Sequence, residues 1–107
     1  MNMFTNFALV GTVKEMPGAQ TGKDGSESAY ITIACERSFP EADGSYGFDA
    51  FRIALWKGVA GECRDSCRIG SVVGFKGRIE SICVRDEAGG VHLCPMLIAE
   101  RVKIIRA

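Results

Sequence analysis

The chain has 107 residues, enough for one domain and too few for two. Thirteen basic residues balance thirteen acidic ones, so net charge gives no support to a polyanionic partner, although a neutral chain can still gather its cations on one face. No apolar run reaches the ~20 residues of a membrane span, and Met1-Asn2-Met3-Phe4-Thr5-Asn6 lacks the basic flank and apolar stretch of an export signal, which points to a cytoplasmic protein.

The run Phe7-Ala8-Leu9-Val10-Gly11-Thr12-Val13 reads as a first strand. A turn-rich loop follows, from Met16-Pro17-Gly18 to Lys23-Asp24-Gly25-Ser26. In the second strand Ala29, Ile31, Ile33 and Cys35 share one face, and Tyr30, Thr32 and Ala34 the other. Pro40 to Gly47 is a second loop with Asp43-Gly44-Ser45 at its tip. Phe48 to Trp56 is a third strand. Phe51, Ile53 and Leu55 alternate on one side. Phe48, Ala50, Arg52, Ala54 and Trp56 lie on the other, an unusual mixture of large rings and a cation.

From Lys57 to Arg68 the alternation is lost. Val59, Cys63 and Cys67 recur every fourth residue beside Ala60, the narrow apolar stripe of a short helix. Gly58 and Gly61 weaken that helix, so packing must hold it, and Gly70 fits its stop. Val72 to Ile82 is a fourth strand, with Gly74 and Gly77 as expected bends or bulges. Asp86-Glu87-Ala88-Gly89-Gly90 is a hairpin turn. A fifth strand starts at Val91, breaks at Pro95 and resumes from Met96 to Ile105. Five strands with a helix between the third and fourth make an all-β, single-domain, five-stranded oligonucleotide/oligosaccharide-binding (OB) barrel. An SH3-like barrel or a small sandwich also has five short strands, and the position of the helix favours the OB arrangement.

The ordered segments resemble the bacterial-type single-stranded DNA-binding protein (SSB) family from Asn6 to Ile105. The resemblance rests on Asn6-Phe7-Ala8-Leu9-Val10-Gly11-Thr12-Val13 with Pro17 four residues on, and on Gly25 with Ala29-Tyr30-Ile31-Thr32-Ile33-Ala34 and Ser38-Phe39. It continues through Phe51-Arg52-Ile53-Ala54-Leu55-Trp56-Lys57-Gly58, Gly70-Ser71-Val72-Val73-Gly74-Phe75-Lys76-Gly77-Arg78-Ile79 and Ala99-Glu100-Arg101-Val102-Lys103-Ile104-Ile105. It implies sequence-independent binding and protection of single-stranded DNA in replication, recombination or repair, by a homotetramer or a dimer. Two departures stand out. The sequence stops at Ala107 without the family's acidic recruitment tail, so tail-mediated capture of replication or repair proteins is not expected. Ala50 and Val84 stand where family members carry aromatics. A short, tailless chain also fits a primosomal-protein-B-like OB adaptor in replication restart.

Binding of unpaired strands needs rings that stack on bases and cations that follow phosphates. The candidate rings are Trp56, Phe39, Phe48 and Tyr30; the candidate cations are Arg37, Arg52, Lys57, Lys76 and Arg78. Six of them have a structural alternative: Trp56 as an ordinary barrel or interface aromatic, Phe39 pinned into the core, Phe48 covering the barrel end, Tyr30 at a subunit interface, Lys76 and Arg78 on a solvated strand face. Arg52 and Trp56 are four residues apart on one strand face, ~13 Å along it. Glu62, Arg64 and Asp65 read as solvent-facing helix charges.

The five cysteines are an odd number in a chain without an export signal and read as reduced thiols. Cys63 and Cys67 fit the helix stripe, Cys35 and Cys83 fit packing roles, and His92-x-Cys94 is not a usual zinc knuckle, so neither a metal nor another cofactor is expected. The sequence has no phosphate-binding or dinucleotide fingerprint, and its single histidine lies in no nucleophile motif; the chain reads as a non-enzyme.

Overall fold

A computed structural model describes residues 3–17, 19–21 and 27–107, with side-chain detail at 3–17, 29–56 and 58–107. The elements in chain order are β1 (Phe7–Glu15), β2 (Ala19–Thr21), β3 (Glu27–Pro40), β4 (Tyr46–Leu55), α1 (Lys57–Ser66), β5 (Val72–Arg85) and β6 (Val91–Arg106). The sheet order is β1-β5-β6-β4-β3-β2, and β1 also pairs with β3. That second pairing closes β1, β3, β4, β6 and β5 into the five-stranded barrel, with α1 between its third and fourth strands.

β1 serves both neighbours by bending. Residues Phe7 to Thr12 pair with β5, and Thr12 to Glu15 pair with β3 across a register shift. Gly11 sits at the handover. A Cβ there would lie 2.7 Å from the Ala34 carbonyl oxygen and 3.0 Å from Cys35 Sγ, so closure at this point needs a residue without a side chain.

The alternation read from the sequence places the core. Val13, Ile31, Ile33, Ile53, Val73 and Cys63 are fully buried, and Phe75 nearly so. α1 plugs one end of the barrel with Val59, Ala60 and Cys63, joined by Cys67 at its C-cap, all part of the same apolar cluster. Removing these side chains from water at roughly 25 cal/mol per Å² holds a helix that its own glycines would not sustain. Burial pushes the Cys63 thiol up from 9.0 to about 12, with Cys67 beside it adding to the effect. Cys67 Sγ lies 3.1 Å from the Cys63 carbonyl oxygen.

Several sequence expectations change. The loop expected after β1 contains β2, which pairs antiparallel with the start of β3; the Gly18 and 22–26 portion of that loop, Gly25 included, lies outside the described residues. β3 and β5 run past the expected ends, to Pro40 and Arg85, and β4 starts two residues early at Tyr46, because β3–β4 and β5–β6 extend beyond the barrel as two-stranded arms. Such arms carry no continuous apolar face, so periodicity does not reveal them. Pro95 does not interrupt β6 but stands opposite Ser81 within it. Below Leu97 the partner of β6 is β5 alone, and a strand with an open edge tolerates a residue lacking its N–H.

α1 ends at Ser66, earlier than Gly70 suggests. Gly70 has φ +97° in the turn Arg68–Ser71 that follows. There the Ser71 amide donates to the Arg68 carbonyl at 2.9 Å and the Gly70 amide to the Val13 carbonyl at 2.9 Å, while Ser71 Oγ accepts from the Arg68 amide at 3.0 Å. Gly77 lies at a register shift between β5 and β6, whereas Gly74 sits in regular pairing with Val10 and Lys103. Cys83 is exposed rather than packed.

Candidate nucleic-acid interface

The outward residues of β3, β4, β6 and β5 form one continuous wall. Tyr30 stands opposite Ala54, Ala54 beside Ile98, and Ile98 opposite Arg78. With strands about 4.8 Å apart, this row places Tyr30 and Arg78 about 14 Å from each other. The wall is built by the alternation that fills the barrel: Ile53 and Leu55 point in, so Arg52, Ala54 and Trp56 face out.

Two aromatic–arginine pairs occupy the wall. The Arg52 guanidinium carbon lies 4.2 Å from the Tyr30 ring centroid, and that of Arg78 lies 4.7 Å from the Trp56 ring. Both separations suit a cation over a π-face. Trp56 is 55% exposed and is not part of the core cluster. Its backbone fixes it: the Trp56 amide donates to the Ala99 carbonyl at 3.1 Å, and its own carbonyl accepts from the Val59 and Ala60 amides, making it the N-cap residue of α1. The ring therefore stands at a junction of β4, β6 and α1, held by hydrogen bonds at both ends of its peptide unit.

Arg78 is also held by acids. Its Nε donates to Glu80 Oε1 at 2.9 Å and its Nη1 to Glu100 Oε2 at 3.3 Å. These carboxylates hold its pKa above the usual arginine value, Glu80 contributing most. Among the described residues Arg52 has no ion pair.

Phe48 faces outward on the same side of β4, opposite Glu36, and is 59% exposed. Phe39 is 81% exposed near the end of the β3–β4 arm, so it is not pinned into the core. Arg37 lies on the opposite side of that arm from Phe48. Its Nη2 donates to Asp49 Oδ1 at 2.8 Å and its Nε to both Asp49 oxygens at 3.2 Å, with Glu41 at 3.4 Å. The bidentate Arg37 holds the Asp49 carboxyl below the usual carboxylate range. Arg37 and Phe39 border a shallow cleft with Glu36, Glu41 and Asp49, remote in the fold from the Trp56 junction. The Lys57 side chain lies outside the described residues.

Lys76 and Arg78 are separated by the register shift at Gly77 and have different neighbours. Lys76 stands opposite Arg101, and both are exposed. A Cβ on Gly77 would overlap the Ile98 carbonyl, so the strands approach this closely only with glycine there. The shift leaves Glu100 as an extra residue on β6, beside Arg78. Arg101 borders two shallow clefts, one with Trp56, Gly58 and Glu62 and one with Asn6, Phe7 and Lys76. Arg101 thus links the Trp56 junction to Lys76, a placement that strand periodicity does not expose because the bulge breaks it.

Ala50 and Val84, where aromatics were expected by resemblance, leave the wall with fewer rings; Ala50 is opposite Ala34, and Val84 is opposite His92 on the β5–β6 arm. His92 Nε2 lies 2.7 Å from Asp86 Oδ2 at the arm's tip. Among the described residues no group of three or more His, Cys, Asp or Glu has metal-binding geometry, and no helix is long and apolar enough to cross a membrane.

The chain is 30% identical over 103 residues to single-stranded DNA-binding protein B of Bacillus subtilis, covering 96% of this chain and 91% of that one. It is 24% identical to a single-stranded DNA-binding protein of Enterococcus faecalis and 25% identical to single-stranded DNA-binding protein 2 of Listeria innocua, of which it spans 56% and 65%. The crystal structure of a small single-stranded DNA-binding protein from Streptomyces coelicolor superposes with a TM-score of 0.65 at 18% identity, over 97% of this chain and 95% of that one, which shows the shared fold. Residues 4–105 match the single-strand binding protein family, and the chain belongs to that family.

Proposed function

We propose that the protein binds single-stranded DNA without sequence preference on the wall formed by β3, β4, β6 and β5. The carrying observation is the pair of outward aromatic–arginine contacts, Tyr30 with Arg52 and Trp56 with Arg78, on one continuous surface. Rings supply base stacking that any base satisfies, and the guanidinium groups supply phosphate contacts. Phe48 extends the wall, and Lys76 with Arg101 continues it beyond the Gly77 bulge. Arg37 contributes less, because it lies on the opposite side of the arm from Phe48 and, among the described residues, over no ring. Family membership supports this reading over that of a replication-restart adaptor.

The role is strand protection during replication, recombination or repair in the cytoplasm, with no catalytic step. The working form is a homo-oligomer. Val10 and Ile105 are exposed apolar side chains in contact range of the site a Gly74 Cβ would occupy, each 3.6 Å from it, and together they form an apolar patch suited to a second copy. Linked barrels raise avidity without stronger single sites, which suits a chain of zero net charge.

Fluorescence anisotropy of labelled oligo-dT and of a mixed-sequence oligomer tests the proposal. Both bind at low salt with similar affinity, and log K falls with log salt by about 0.7 for each phosphate engaged. Failure of both to bind removes the proposal; binding of one sequence alone removes its sequence independence.

A further inference from the structure

The two aromatic–arginine pairs differ in one respect that bears on affinity. Arg52 lies over Tyr30 with no carboxylate partner among the described residues. Arg78 lies over Trp56 while bonded to Glu80 and Glu100, at 2.9 and 3.3 Å. One guanidinium against two carboxylates leaves this cluster with a single negative charge where a phosphate is to approach. The geometry also places the guanidinium over one face of the indole, the kind of face a base would stack on. Exposed ion pairs of this sort are weak, so a polynucleotide can exchange them.

We propose that Glu80 and Glu100 act as an internal brake on the DNA site, tethering Arg78 across Trp56 so that binding a strand requires the guanidinium to give up its carboxylates. This inference rests on the proposed binding wall and assigns two acidic residues to its regulation. The parts come from independent features of the chain. Glu80 is two residues from Arg78 on β5, on the same strand face. Glu100 reaches Arg78 because the Gly77 register shift inserts it on β6. The tether lowers affinity and shields one cation from the phosphates. It also provides a ready intramolecular partner for Arg78 when the strand departs, which favours release.

A double-mutant cycle on the full chain tests this, read by anisotropy of labelled oligo-dT across a salt series. Glu80→Gln with Glu100→Gln keeps side-chain shape and removes the charges. Relief of two exposed ion pairs tightens binding by about threefold to tenfold. Release of one cation to a phosphate steepens the salt dependence by about 0.7. In an Arg78→Ala background the same two changes relieve repulsion alone and the slope does not steepen, because there is no cation left to release. Circular dichroism confirms that each variant is folded. A slope that steepens equally without Arg78 marks a general charge effect and overturns the brake. Unchanged or weaker binding by the double variant, when the unsubstituted protein binds, also overturns it while leaving the binding wall intact. Absence of binding by the unsubstituted protein instead refutes the wall, and the brake with it.

Discussion

The Trp56 junction and the far end of the β3–β4 arm contain the same kinds of residue in different working order. Each has an exposed ring, an arginine and nearby carboxylates. At the junction the ring is fixed by backbone hydrogen bonds to β6 and α1, and the guanidinium lies over it. At the arm, Phe39 stands exposed and Arg37 is bonded bidentately to Asp49, with Glu41 alongside. The lesson is that a ring and a cation near each other in sequence do not make a binding site. What matters is whether the cation lies over the ring, since carboxylates hold the arginine in both places.

The largest expected effect comes from the backbone beneath the junction. Gly77→Ala forces a Cβ into the Ile98 carbonyl, and overpacking of this kind costs about 1–3 kcal/mol or more of stability, read by chemical denaturation. The register shift at the arm, between Glu36 and Pro40, lies opposite Gly47, where an added Cβ meets only the flexible Glu41 and Arg37 side chains, so Gly47→Ala there shifts the denaturation midpoint far less. A comparable loss at both shifts would break the contrast.

Trp56→Ala, next in size, weakens binding of oligo-dT by about 1–3 kcal/mol with the fold retained. Phe39→Ala, lacking an aligned cation, costs less in the same titration. If the phenylalanine change is the more damaging, the strand runs along the arm and the ranking of the two regions is reversed.

The helix behind the junction gives an alkaline pH signature, whereas the lowered Asp49 carboxyl of the arm acts on the acid side. The folded-state pKa of Cys63 is raised from 9.0 to about 12 by burial. The protonated thiol is therefore favoured by folding. Its contribution is fully present below about pH 9 and is lost as pH climbs toward 12. Thermal melts are expected to hold steady with respect to this group up to about pH 8 and to fall above it, and Cys63→Ala reduces that alkaline slope. An unaltered slope in Cys63→Ala places its origin elsewhere.

The smallest effect is expected at Arg37. Its ion pairs are exposed, so Arg37→Ala changes both stability and DNA affinity little. A loss as large as that of Trp56→Ala would show that Arg37 abandons Asp49 for phosphate.

Alternation at Ala29–Cys35 and Phe48–Trp56 made the barrel wall legible, because burial selects every second residue and thereby exposes the others. The helix stripe at Val59, Cys63 and Cys67 was legible for the same reason at a different period. The two arms were not, since a two-stranded ribbon beyond the core places no demand on apolar spacing. β2 was hidden by its three-residue length. At the site, Arg52 and Trp56 could be placed on one face by period, but their actual partners, Tyr30 and Arg78, come from neighbouring strands whose registers no single strand encodes. Arg101 and Glu100 were obscured further by the bulge at Gly77. The commitment of Arg37 to Asp49 is a contact between residues twelve apart across a hairpin, and sequence spacing gives no warning of it.

The central claim is that an unpaired strand lies against Trp56. This is the chain's single tryptophan, so its emission reports on that site alone. Titration with oligo-dT, following Trp56 emission and DNA anisotropy in one sample, tests the claim most directly. Saturable quenching that tracks the anisotropy and reverses on adding salt is the predicted result. A full anisotropy change with Trp56 emission unaltered would contradict it.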